Sequence, residues 1–416
     1  MNTTVFQGKT SRGGLLFMKK LSLISRIFIC LTIGITLGLL CNYVELEFPI
    51  KITATLSGLF GNFISFTIPL IIIGFIVPGI AALGKKSGKG LLITTVLAYI
   101  STFLAGFIAY LVGSALLPRF LDSNISLEES VGAIDPIFTV DMPAIMGVMS
   151  ALILAFIFGI SLSRIKNSLM LKVMEEFSSV VTMVVKNILI PFVPVYIGCL
   201  FANLSYSGDI FNTLKSFAIV YVILFSLQAF YILLQYSIAG TIKKENPFKL
   251  FKNMIPAYLT AVGTQSSAAT IPVTAKCTKS NRVSEEIVDF VIPLGATIHL
   301  AGDTITLVIT SMAVMYMNGQ TPTFTLIMPF IFMLGITMVA APGVPGGGVM
   351  AALGLLETML GFGTVEKPIM KALHAAQDSF GTATNISGDG AIAIIVDYIL
   401  NAKGKNKDKI DLSEVS

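Results

Sequence analysis

Two carboxylates, an amide and a hydroxyl share one face of an otherwise apolar segment late in the chain: Asp378, Thr382, Asn385 and Asp389. Their offsets of 0, 4, 7 and 11 residues put them within about 60° of one another on an α-helix. His374 lies one turn earlier on the same face, and the remaining positions, among them Ala372, Leu373, Phe380, Ala383 and Ile386, are mainly small or apolar. If this segment crosses a bilayer, each carboxylate near mid-membrane costs about 2.5–3.5 kcal/mol unless something neutralises it. No lysine or arginine follows Lys371 at that depth, nor does one occur at comparable depth in the neighbouring spans. The expected partner is therefore a bound cation or the ammonium group of a solute, not a protein cation. The alternative is a pair of protonated aspartates hydrogen-bonded in a packed interface.

A second polar cluster runs from Gly295 through Ala296, Thr297, Ile298, His299, Leu300, Ala301 and Gly302 to Asp303 and Thr304. Small residues allow close backbone approach here, and backbone carbonyls are good ligands for hard cations. His299 and Asp303 are four apart and are expected to pair if the segment is helical. Both histidines of the chain fall in the suspected site, which brings proton handling into consideration beside a plain hydrogen-bonding role. Other chemistries are excluded. The four cysteines are scattered with no CxxC pair, so a structural zinc site is not expected. There is no GxSxG or HExxH motif, and Gly84-Lys85-Lys86-Ser87-Gly88-Lys89-Gly90 is one residue short of a phosphate-binding loop and lacks its Ser/Thr. An enzyme is not expected, and the basic residues sit in short inter-helix loops, which argues against nucleic acid.

The elements that must carry these residues are membrane spans. Of the 416 residues 54% are hydrophobic and only 12% charged, about half the charge of a soluble domain. Apolar segments lie near 21–43, 52–83, 88–117, 144–165, 173–203, 212–240, 248–275, 283–317, 322–361 and 366–401. The first resembles a signal peptide, with Met18 as a second possible start, but it has the length of a span and is read as one. Two segments are interrupted, at Gln265–Thr270 and at Pro342–Gly348. If both are hairpins that enter and leave on one side, 22 of the 28 basic residues fall on a single face and the acidic loop with Asp122, Glu128, Glu129, Asp135 and Asp141 on the other. That asymmetry places both termini in the cytoplasm. Irregular backbone at membrane depth needs protein or a water-filled cavity around it. Two such breaks in corresponding positions of two halves point to a binding site of the inverted-repeat type.

Four motifs now become familiar in order and spacing: Gln265-Ser266-Ser267-Ala268-Ala269-Thr270-Ile271-Pro272, Pro293-Leu294-Gly295-Ala296-Thr297-Ile298, Gly343-Val344-Pro345-Gly346-Gly347-Gly348 and Asn385-Ile386-Ser387-Gly388-Asp389. With them the chain resembles the dicarboxylate/amino acid:cation symporters, the family of glutamate transporters and their neutral amino acid relatives, and most of all the bacterial serine/threonine branch. The resemblance implies an all-α membrane protein of eight transmembrane helices plus two re-entrant hairpins, working as an elevator in a homotrimer. Residues 19–83 and 144–204 would be the scaffold. Residues 88–117 and 212–401 would be the transport domain, with hairpins at 248–280 and 322–361, the second being the extracellular gate. Residues 1–18 and 402–416 would be cytoplasmic tails. Asp378 matches the position that holds the substrate ammonium. Asn385 and the backbone at Ser266 and Ser267 match the groups on its α-carboxylate, and Gly346, Gly381, Thr382 and Asp303 complete the expected substrate set. Gly295, Asn385 and Asp389 match one sodium site, with His299 counted in the expected ion set; Thr297 with Met338, Val339 and Ala341 match another, and Tyr99 with Thr102 part of a third.

Departures from the pattern guide the specificity. Acidic-substrate members carry an arginine three residues after the aspartate; here that position is Gly381, and Gln265 replaces an arginine in the first hairpin. A charge-assisted hydrogen bond of about 1.5–3 kcal/mol is thereby lost, so a neutral amino acid is expected. His299 and Ala301 replace an asparagine and an aspartate that hold sodium in relatives. The expected function is sodium-coupled import of a small neutral amino acid across the plasma or inner membrane. Open alternatives are proton-coupled symport of an acidic amino acid or dicarboxylate, and an uncoupled cation or solute channel.

Overall fold

A computed structural model describes residues 23–85, 89–121, 134–208, 210–338, 341 and 346–410. The expected N-terminal tail with Met18, most of the acidic loop and the Pro342–Pro345 part of the second interruption lie outside the described residues. No strand occurs among the described residues. The first half comprises α1 (Leu23–Tyr43), α2 (Phe48–Lys85), α3 (Lys89–Phe120), α4 (Val148–Arg164), α5 (Leu169–Val184), α6 (Ile190–Tyr206) and α7 (Ile210–Lys243). The second comprises α8 (Pro247–Lys252), α9 (Ile255–Thr264), α10 (Ser267–Ser280), α11 (Glu285–Ile298), α12 (Ala301–Met317), α13 (Phe324–Met338), α14 (Gly347–Leu360) and α15 (Glu366–Ile410). Seven stretches among the described residues are long and apolar enough to cross a membrane. The segment expected at 144–165 forms the 17-residue α4, shorter than those seven.

Local sequence explains the breaks. Between α5 and α6 a π turn occupies Val185–Leu189. Pro191 at the start of α6 has no N–H to continue the ladder, and its ring would meet the carbonyl one turn back. The first interruption is narrower than the six-residue run read from the sequence. Only Gln265 and Ser266 leave the helix. Gln265 adopts the left-handed conformation at φ 53°, and Ser266 caps α10 by accepting from the Ala269 amide. The small residues after it support a helix, so Ala268–Thr270 belong to α10. Conversely, the segment read as continuous over 283–317 breaks at His299 and Leu300, both of which leave helical geometry. Asp397 on α15 accepts from both the amide and the hydroxyl of Ser284, at 3.1 and 2.5 Å, and so fixes the start of α11.

Packing depends on helices that approach to backbone contact. A Cβ added to Gly34 of α1 would stand 2.0 Å from the Gly198 carbonyl oxygen of α6, and one on Gly38 would stand 2.2 Å from the Ala202 carbonyl oxygen. This small-xxx-small spacing replaces the hydrophobic drive that lipid does not supply between helices. α2 packs on α4, α5 and α6, while α12 and α15 pack on each other and on α3 and α7. α9 packs on α10, and α13 on α14. α12 is buried along almost its whole length.

Replacing Gly34 by leucine should lower stability by about 1–3 kcal/mol or more, as over-packed cores do. Gly58, where an added Cβ meets nothing within 4 Å, should tolerate alanine. Thermal unfolding of the two purified variants reads the difference; equal melting temperatures would show that the α1–α6 contact is not the constraint described.

Candidate functional site

The α15 stripe meets the break between α11 and α12 at the centre of the bundle. Glycines make the approach possible. A Cβ on Gly302 would stand 2.3 Å from the Gly381 carbonyl oxygen, and one on Gly388 would stand 2.4 Å from the His299 ring. A small polar cleft opens here. Gln265 and Ser267 line it from the first interrupted pair, and Ala341 and Gly348 from the second. Ala296, Leu300 and Asp303 enter from the α11–α12 break, and Asp378, Thr382 and Asn385 from α15. Both interrupted helix pairs thus contribute residues to the polar face identified in the sequence, and no lysine or arginine is among the lining residues.

Two polar clusters occupy this centre. In the first, Asp303 accepts from His374 Nε2 at 2.6 Å and from Asn385 Nδ2 at 2.6 Å. The Asn385 side-chain Oδ1 in turn accepts from the Gly302 amide at 2.7 Å. Asp378 Oδ2 accepts from the Gly346 amide at 2.8 Å. In the second cluster, His299 Nδ1 lies 3.0 Å from Asp389 Oδ1. Its Nε2 lies 3.0 Å from the Ser101 hydroxyl, which also contacts Tyr231 and Gln235. Asp389 Oδ2 is buried with no hydrogen-bond partner among the described residues.

These contacts correct two expectations. His299 does not pair with Asp303. The helix is broken between them, so the four-residue spacing no longer brings them together, and each finds a partner on α15 instead. Nor are the buried carboxylates left entirely to a bound cation, since an imidazole from the protein reaches Asp389 and another reaches Asp303. A count of lysines and arginines overlooks histidine, which is the group used.

Of the expected substrate residues, Ser267, Asp303, Asp378, Thr382 and Asn385 line the cleft. Gly346 reaches it through Asp378. Ser266 caps α10 and Gly381 packs on α12 without lining the cleft. Of the expected ion residues, Gly295 lies against Asp389, where a Cβ would stand 2.7 Å from Oδ1. Thr297 donates to the Leu294 carbonyl at 2.7 Å and the Met338 carbonyl accepts from Ala341 at 3.1 Å. Tyr99 donates to the Phe332 carbonyl at 3.3 Å, and the buried Thr102 hydroxyl has no partner among the described residues. Val339 lies outside the described residues. Sequence reading passed over Gln228 and Gln235. Gln228 donates to Gln377 at 3.0 Å. With Tyr231 these residues recur three and seven apart on the apolar α7, a spacing that marks one inward face and was the available signal.

Asn385→Leu should therefore destabilise the protein by about 1–3 kcal/mol for each buried group it leaves unpaired. Asn401→Ala, at an exposed pair with Asp397, should stay within about 0.5 kcal/mol. Denaturation of both variants measures this, and a stable Asn385→Leu protein would remove Asn385 as the structural link.

Residues 23–399 match the model of the sodium:dicarboxylate symporter family. Excitatory amino acid transporter 1 of Rattus norvegicus is 29% identical over 168 residues, 40% of this chain and 31% of that protein. Neutral amino acid transporter A of Homo sapiens is 31% identical over 173 residues, 41% of this chain and 32% of that protein. An excitatory amino acid transporter of Caenorhabditis elegans is 26% identical over 271 residues, 64% of this chain and 53% of that protein. The alignments span from about a third to about half of these relatives' lengths.

Proposed function

Because the chain belongs to the sodium:dicarboxylate symporter family, we propose that it is a secondary active symporter importing a small neutral amino acid, of serine or threonine type, together with Na⁺. The observation that carries this reading is the cleft itself. It is a polar cavity between two fold-back tips, lined by two carboxylates and no lysine or arginine. Asp378 takes the ammonium group, its other oxygen oriented by the Gly346 amide. The α-carboxylate faces the amino-terminal end of α10 at Ser266 and Ser267, where the helix dipole favours an anion, and Asn385. The side chain then faces Thr382 and Asp303. A second carboxylate on the substrate would meet Asp303 with no cation to clamp it, which supports a neutral solute.

Na⁺ is the co-transported cargo. Hard oxygen donors suit it, and the buried oxygens Asp389 Oδ2 and Thr102 Oγ1, which have no hydrogen-bond partner among the described residues, support such use. Gly295, Asn385 and Asp389 would hold one ion, Thr297 with Met338, Val339 and Ala341 a second, and Tyr99 with Thr102 part of a third. A second reading replaces one Na⁺ by H⁺, and the imidazole of His299 on Asp389 favours it. In both, α9–α10 and α13–α14 are re-entrant hairpins in a protein of eight spans, α4 included. α1, α2, α4, α5 and α6 form the scaffold of a homotrimer, and α3, α7 and the remaining helices form the part that slides as an elevator. The mutual packing of α1, α2, α4, α5 and α6 supports that division. The protein would sit in the plasma or inner membrane with both termini cytoplasmic.

Serine or threonine in Na⁺ buffer should raise the melting temperature of the purified protein, by the mass action that ligand binding exerts on the native state, while aspartate should not. Asp378→Asn should retain the ligand-free melting temperature and lose the shift. Uptake in vesicles with imposed Na⁺ or H⁺ gradients separates the two couplings. Wild-type uptake by Asp378→Asn would refute the ammonium assignment.

A further inference from the structure

Asp303, His374 and Asp378 form a buried group whose ligand-type atoms lie within 4.8 Å of one another. Their order is specific. An ionised carboxylate only accepts, so the 2.6 Å contact from His374 Nε2 to Asp303 Oδ1 places the ring proton on Nε2. When the ring is neutral, its Nδ1 lone pair stands on the other side. That atom is buried with no hydrogen-bond partner among the described residues. It faces Asp378 Oδ1 at 3.9 Å, too far for a hydrogen bond, while Asp378 Oδ2 is held by the Gly346 amide. The nearby Lys371 does not supply a charge here, being placed 5.8 Å over the Tyr196 ring.

A carboxylate behind an imidazole, with the opposite ring nitrogen bare, is how proteins prepare histidine to bind a metal. The carboxylate fixes the tautomer and raises the basicity of the ligating nitrogen. Zinc lies about 2.0–2.1 Å from such a nitrogen and about 2.0–2.2 Å from a carboxylate oxygen, so one ion with a bent N–metal–O angle spans the 3.9 Å separation. The geometry points to a site for a divalent transition-metal ion of the Zn²⁺, Co²⁺ or Cu²⁺ class, held by His374 Nδ1 and Asp378 Oδ1 and backed by Asp303. A nitrogen donor selects these ions over Mg²⁺ and Ca²⁺. Because Asp378 is also assigned to the substrate amine, the bound ion and the amino acid exclude one another. That clause alone rests on the proposed function, and metal binding stands apart from it.

The test uses the full chain, purified without a histidine tag, with Cu²⁺ added and read by pulsed electron paramagnetic resonance. The chain has only two histidines, and both ring nitrogens of His299 are engaged, by Asp389 and Ser101. A coordinated-imidazole signal is expected at saturating stoichiometric Cu²⁺, displaced by Zn²⁺ and not by Mg²⁺ or Ca²⁺. Cu²⁺ binding without imidazole coupling, or equal displacement by Mg²⁺, overturns the site. His374→Gln should abolish the signal, and its persistence would transfer the site to His299. If that variant does not fold, the wild-type spectrum still decides. Asp303→Asn should weaken binding by about 10–100-fold, and unchanged affinity would overturn its backing role. In a separate arm, serine or threonine should lower the metal affinity. Undiminished metal binding at saturating amino acid would overturn the shared use of Asp378 and leave the metal site in place.

Discussion

Three aspartates buried in one bundle of apolar helices govern this molecule. Asp303, Asp378 and Asp389 are each at least 95% buried. An ionised carboxylate in such surroundings is stable only when donors or opposite charge surround it. Among the described residues the chain meets the demand without an ion pair from a lysine or arginine to any of them. Asp389 is met by the His299 ring, Asp303 by the His374 ring and the Asn385 amide, and Asp378 by a backbone amide at the second fold-back tip. The provision is incomplete. Among the described residues Asp389 Oδ2 and His374 Nδ1 have no hydrogen-bond partner, so the network is left open at two buried atoms.

Holding that network together requires backbones closer than side chains normally permit. Gly302 against Gly381 and Gly388 against His299 bring the α11–α12 break onto α15, and Gly295 and Gly348 leave room directly over Asp389 and Asp303. The same device at Gly34, Gly38 and Gly198 joins α1 to α6 far from the cleft. One packing rule therefore serves both ends of the bundle. In the middle it creates polar chemistry; at the periphery it creates only cohesion.

The helical class was plain in the sequence because long apolar runs leave little choice, and the α15 stripe was plain because its period matches a helix turn. The Ser-rich interruption pointed to the break at Gln265 and Ser266, while Pro342–Pro345 of the Gly- and Pro-rich one lies outside the described residues. The break at His299 and Leu300 was not legible. Neither residue is a helix breaker, and the segment unwinds because His299 finds Asp389 and Ser101 across the bundle, a tertiary preference over a local one. The pairing of His374 with Asp303 was hidden for the same reason, since the two residues are 71 positions apart. Gln228 and Gln235 were overlooked although their spacing on α7 exposed them. Polar residues at helical intervals in an apolar span carry more information than their number suggests.

Asn385 belongs to both polar clusters at once. Its side chain holds Asp303 and the Gly302 amide, while its own carbonyl lies 3.3 Å from His299 Nδ1. A guest that rotates this amide in one chamber must disturb the imidazole in the other. Were an ion and a solute to bind on the two sides of that single residue, any free energy the first lent the second would be returned in equal measure. Stoichiometric coupling would then need no long relay, only an asparagine standing in a shared doorway.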